Sequence, residues 1–332
     1  MAYLSIIGFC VFVARKSATS IYAIPYLVSV AIQLALFFGG LFGSLSIVSG
    51  ALLAIGIVLI GHELIASEIR LIKHHLRLKN LKALTQSRSG RVSLLLVIVF
   101  CWVRFVTPND YRFARWDEFS FWGASIKELH ERNSLWDSNS PILFKHYVPG
   151  QQLFQYFFLR HEVFSERAVF AAHLTLICFA IFAIAGFLVD GFGKKIPFLF
   201  LSALIPSMFH FSFDTIEADL LLGLQFAVAF AIASKATMSD SQIPLVLSLA
   251  GLVIQKEAGL IFAIVILLFG VSRYVTYAQQ LRIPLARLVL RTAFAVLALS
   301  APVLTWKVYL YHMGIRSDSA GGGSRKSVRN GF

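Results

Sequence analysis

"SIYAIPYLVSVAIQLALFFGGLFGSLSIVSGALLAIGIVLIG", Ser20 to Gly61, carries no charged side chain. A helix needs about 20 apolar residues to cross a bilayer, so a stretch of about forty is long enough to cross twice. Within lipid every backbone N–H and C=O must find a partner in the protein, which leaves only helices and closed barrels. The sequence lacks the alternating strands of about ten residues that a barrel needs. The rest of the chain follows the same pattern: of 332 residues 58% are hydrophobic, and mean hydropathy is +0.75. Soluble domains are roughly 45–50% apolar, and here the excess is gathered in long runs. The expected fold is all-α, a polytopic transmembrane bundle of about nine crossings with an external loop of interfacial amphipathic helices.

The N-terminal "MAYLSIIGFCVFVARK" has its charges after the apolar run, unlike a cleavable signal peptide. It reads as a short or truncated first crossing. Cys10, Cys101 and Cys178 lie far apart in apolar runs, with neither metal spacing nor a disulfide pattern. The net charge of +13 is better explained by cytoplasmic loops rich in Lys and Arg than by nucleic acid.

The densest basic stretch, "EIRLIKHHLRLKNLKALTQSRSGR" (68–91), is placed in the cytoplasm. His74 and His75 within it suit a lipid-headgroup surface. Parity then orders the rest. Crossings at roughly 20–43 and 44–65 put Arg15 and Lys16 inside, and 92–107 crosses outward. Residues 108–166 form a long external loop. Crossings follow at about 167–189, 196–213 and 220–235, with "DGFGKK" (190–195) inside and "FDTIEAD" (213–219) outside. The thirty or so residues from Ile243 are long for one crossing and short for two. A tight hairpin of two short helices, with "QKEAG" (255–259) at an external tip, keeps Arg273, Arg282, Arg287 and Arg291 inside. A last crossing near 288–310 leaves a Gly/Ser-rich tail, 311–332, expected to be disordered. The units are residues 1–91, N-terminal helices and basic loop; 92–310, a core holding the external loop; and the tail.

In the external loop, "RWDEFSFWG" (Arg115–Gly123) sets Asp117 and Glu118 among aromatics. Residues 117–132 place Phe119, Trp122, Ile126 and Leu129 at helical spacing, the pattern of a helix lying in the interface with Trp at headgroup depth. After "HYVPG", the run "QQLFQYFFLRHEVF" puts Leu153, Phe154, Phe157 and Phe158 on one side of a second such helix, with Pro149 near its start.

An acidic pair after a crossing ("WDE"), an acid opening a helix at another external turn ("FDTIEADLLLGL") and "QKEAGLIF" at a third together resemble the GT-C superfamily of integral-membrane glycosyltransferases. The similarity is to members that use polyprenyl-phosphate sugars, the protein mannosyltransferase and aminoarabinose transferase types, and covers roughly residues 92–310. The resemblance implies a multi-pass protein of the plasma (inner) membrane serving cell-envelope glycan biosynthesis. It would move a sugar from a lipid-linked donor to a lipid, glycan or protein acceptor on the external, periplasmic face. It also implies an acid at the loop's start as general base. Asp117 matches that position, with Glu118 second; neighbours on a helix point about 100° apart, so one of the two faces the cavity.

The residues themselves suit this chemistry. A carboxylate removes the acceptor's proton, although acids also simply favour a helix N-terminus. A departing phosphate calls for cations. Lys256, in an apolar segment where a charge is costly, is the first candidate, with Arg115 and His146 beside it; pairing of Lys256 with Glu257 is the plain alternative. Asp214, Glu217 and Asp219 could hold sugar hydroxyls, pair with Lys256 or bind a divalent cation. There is no Gly-rich nucleotide loop and no His/Cys metal spacing, which disfavours a soluble nucleotide-sugar donor. The rival readings are a lipid-linked saccharide transporter or flippase, which also uses midplane charges and broken helices, and a non-catalytic membrane subunit.

Overall fold

A computed structural model describes residues 1–73, 87–189, 215–235, 242–281 and 285–315, the side chains of 64, 66–73, 277–281, 285, 287 and 288 excepted. The expected crossing at 196–213, the turn 190–195, Asp214, most of the basic loop with His74 and His75, and nearly all of the tail lie outside these residues. Every described element is helical. In chain order they are α1 (Ala2–Lys16), α2 (Ile24–Leu41), α3 (Leu45–Lys73), α4 (Arg88–Val106), α5 (Gly123–Arg132), α6 (Gly150–Leu159), α7 (Glu166–Leu188), α8 (Ala218–Lys235), α9 (Ile243–Gln255), α10 (Gly259–Leu281) and α11 (Leu285–His312), with a π-helical turn at Glu118–Trp122 leading into α5.

Seven of the described helices are long and apolar enough to cross a membrane: α2, α3, α4, α7, α8, α10 and α11. Their burial grades from the middle outward, with α8 between at 50%. The apolar windows of α2 and α7 are 72% and 78% buried, whereas those of α3, α4, α10 and α11 are only 22–28% buried. The outer four thus present apolar side chains outward, as lipid-facing helices do, and α2 and α7 form the middle. Lipid tails are as apolar as leucine, so helices in a membrane associate through close packing of small residues. The crossing of α1 and α3 shows this. A side chain on Gly8 would put its Cβ 1.9 Å from the Gly56 carbonyl oxygen, and Ser5 Oγ donates to Leu52 O at 3.0 Å.

The two ends of the bundle differ in charge. At one end Arg15 pairs with Glu63, and Arg88 donates to the carbonyls of Ala14 and Thr19, closing the exposed C-terminal end of α1. α4 then runs 19 residues from Arg88, about 28 Å at 1.5 Å per residue, to the opposite end, where the 107–165 loop begins. The starts of α7 and α8 and the ends of α9 and α11 meet that loop.

Three expectations are corrected. The hairpin is not two short helices. α9 has 13 residues, about 20 Å, while α10 has 23. α9 needs no bilayer length because α2, α6, α8, α10 and α11 surround it. The chain turns through an extended Lys256, and Gly259 N–H donates to Lys256 O at 2.8 Å. Only glycine fits at 259, since a Cβ there would lie 1.8 Å from Leu252 O.

The second loop helix is not interfacial. All ten residues of α6 are buried, Gln151, Gln152 and Gln155 included: Gln151 bonds Gln255 and the Ile216 carbonyl, and Gln152 donates to Ser125 Oγ, so polar groups inside the protein stand where water was expected. In the first loop helix, Ile126 and Leu129 are buried as expected, but Phe119 is 61% exposed and Phe121 takes its place. The π-helical turn, closed by Gly123 N–H donating to Glu118 O, adds a residue and shifts the register ahead of α5.

Candidate functional site

The loop is tied to the bundle through aromatic and acidic contacts. The Tyr111 ring stacks on Phe170 of α7 at 4.1 Å, and Phe113 N–H donates to Glu166 Oε2 at 2.6 Å in the first turn of α7. These contacts bring 111–118 over the mouth of the bundle. Glu118 then turns inward and is 1% exposed. Its Oε2 accepts the N–H groups of Ala114 (2.8 Å) and Arg115 (3.0 Å). Its Oε1 accepts Tyr111 O–H (2.8 Å), Thr215 O–H (3.3 Å) and Ile216 N–H (3.2 Å). Burial alone would raise its pKa; the Arg115 and Ala114 N–H groups, Tyr111 O–H and Ile216 N–H outweigh it and hold the carboxyl below its ordinary value. With five donors around it, Glu118 fixes the loop to the segment that opens α8.

Its neighbour turns the other way. Asp117 is exposed, and among the described residues no hydrogen-bond donor occupies its carboxylate. Close by, Arg115 pairs with Glu217 at 3.8 Å, and Lys256 donates to Asp219. Lys256 is therefore not deep in an apolar span. It stands at the α9–α10 turn, its side chain 24% exposed, and its partner is Asp219 instead of Glu257. The stretches 115–118, 215–219 and 255–257, about a hundred and forty residues apart at the extremes, meet in one charged site. Glu217 is held above the usual carboxylate range, by partial burial first and then by Asp117, Asp219 and Glu118, with Arg115 opposing.

His146 belongs to the other side of the loop. Its ring packs edge-on against Tyr147 at 4.7 Å, and its carbonyl accepts the Trp306 indole N–H at 2.8 Å. Among the described residues its ring makes no hydrogen bond to the acids. No group of three His, Cys, Asp or Glu side chains able to hold a metal ion occurs among the described residues; Glu217 and Asp219 each face a cation, and Asp214 lies outside them.

Beneath the charges runs a chain of amides that the sequence reading passed over. Gln225 donates to Gln255 Oε1 (3.5 Å), Gln255 to Gln151 Oε1 (3.2 Å), and Gln151 to Ile216 O. Ile216 N–H in turn serves Glu118. The signal was present in "QQLFQYFF" and "LVIQKEAG": an amide in an apolar run is costly unless another polar group meets it. The Gln255–Gln151–Ile216 links join the segments carrying Lys256, Glu217 and Glu118, so the chain spaces the charges above it. No family model matches the chain, and neither does any curated protein or solved structure.

Proposed function

We propose that this is a multi-pass membrane glycosyltransferase of the GT-C kind, moving a sugar from a polyprenyl-phosphate-linked donor to an acceptor at the outer face. The observation that carries the reading is the exposed Asp117 carboxylate, without a donor among the described residues, at the rim of a site that also holds Arg115 and Lys256. The acceptor oxygen attacks the anomeric carbon and its proton passes to Asp117. The bond between that carbon and the phosphate oxygen breaks, and the electron pair leaves with the phosphate. Arg115 and Lys256 offset the charge that develops there. In the resting site both are paired with acids, but exposed ion pairs contribute only about 0–1 kcal/mol, so a donor phosphate can replace Glu217 or Asp219 at small cost. Glu217, with its raised pKa, is the second candidate base.

A lipid-linked saccharide carrier is the second reading. The short buried α9 and the amide chain entering the bundle favour it, since carriers build sites on interrupted helices. The two separate in vesicles containing purified protein and radiolabelled polyprenyl-phosphate sugars. A transferase releases free polyprenyl phosphate when a suitable acceptor is present. Intact donor reaching the opposite leaflet, with no cleavage for any acceptor tried, would establish the carrier instead.

A further inference from the structure

Asp117 sits in a ridge of exposed rings. Trp116 is 64% exposed and Phe119 61%, and from the far side of the loop Leu143 and Phe144 are 53% and 37% exposed. The two sides are clamped together. Leu143 N–H donates to Ser120 O at 3.2 Å, and the Trp116 and Phe144 rings meet edge-on at 6.2 Å. Phe144 stacks on Tyr147 at 5.3 Å and 14°. The segment behind it is fixed by two indoles, Trp136 N–H on Lys145 O at 2.7 Å and Trp306 N–H on His146 O at 2.8 Å. Phe144 has φ +50°, a left-handed conformation that a bulky residue rarely adopts and that persists only where the surrounding contacts enforce it. The result is a rigid, outward-facing aromatic surface outside the membrane-length helices.

We propose that the exposed Trp116 indole, held edge-on against Phe144, is the stacking face for a pyranose ring, with Asp117 accepting its hydroxyls. This deepens the glycosyltransferase reading and rests on it for the choice of ligand. The chemistry is complementary: the C–H face of a pyranose is weakly positive and meets the negative face of an aromatic ring, while its hydroxyls need an acceptor close by. A bilayer is the poorer occupant, because Arg115 and Asp117 flank Trp116 in the chain, Asp117 exposed and the Arg115 side chain 41% exposed, and insertion would have to desolvate them.

The test uses the full chain in nanodiscs, with 5-fluorotryptophan at all five tryptophans and the Trp116 signal assigned by Trp116→Phe. Methyl glycosides of neutral hexoses and pentoses serve as probes. At least one should shift the Trp116 fluorine resonance saturably. By saturation-transfer NMR, Trp116→Leu should weaken that sugar's binding about tenfold, the loss of one good aromatic contact, and Trp116→Phe should retain most of it. No shift with any sugar overturns the proposal, and broadening by headgroup spin-labelled lipid in that case identifies a membrane anchor. The outcomes separate from those for catalysis. A sugar shift without donor cleavage keeps the platform and removes the transferase. Cleavage with a silent Trp116 does the reverse.

Discussion

Replacing Glu118 by alanine is expected to leave the loop unable to dock, with loss of most of the folded protein on size-exclusion chromatography after mild heating. The carboxylate is 1% exposed and serves five donors. A buried donor left unpaired costs about 1–3 kcal/mol, so several together exceed about 4 kcal/mol, the range reserved for severe lesions. Glu118→Gln should do less harm. Its NH₂ can turn toward Tyr111 and Thr215, whose hydroxyls can rotate to accept, leaving chiefly Ile216 N–H without an acceptor. The pH dependence has a definite sign. The folded-state pKa of Glu118 is lowered from 4.5, so its contribution is fully present above that ordinary value and is lost as pH falls through the depressed one. Acid unfolding of the glutamine variant should lack this component. An alanine variant that melts within a degree or two of the wild type would refute the docking role.

Asp117→Asn should leave the melting temperature unchanged, because the side chain is exposed and supports nothing beneath it. Turnover should fall by roughly 10²–10⁴, the usual loss on removing a general base, while donor binding persists through Arg115 and Lys256. If the asparagine variant transfers sugar at a near-normal rate, Asp117 is not the base. Glu217→Gln is then the variant to assay, since a carboxyl held above its usual range is the next group suited to accept a proton.

The sequence made some of this legible and hid the rest for physical reasons. Long uncharged runs mark helices because lipid offers the backbone no alternative, and α2, α3, α4, α7, α8 and α11 fall on such runs. Charge spacing also placed 115–118, 213–219 and 255–259 at one end, and Arg115–Glu217 and Lys256–Asp219 join these stretches. The burial of α6 was not legible. An apolar stripe beside glutamines has the same period whether the polar side meets water or Gln255. The phase shift at Phe119 was equally hidden, because a π-helical turn changes periodicity without a characteristic residue. The opposite fates of Asp117 and Glu118 depend on Tyr111 and Ile216, contacts that no local pattern announces.

The proposal that these converging segments lie at the outer face is tested most directly by cross-linking. In a Cys101→Ala background, Arg115→Cys and Glu217→Cys replace a pair whose side chains are 41% and 28% exposed, so little stability is lost. A short, membrane-impermeant bis-thiol reagent is added to the outside of right-side-out vesicles, and cross-linked peptides are identified by mass spectrometry. The expected result is a 115–217 cross-link from the outside and none between Arg88→Cys and Glu217→Cys, which stand at opposite ends of the bundle. Absence of the 115–217 product, or its formation only when the reagent reaches the inner face, would contradict a shared site on the outer surface.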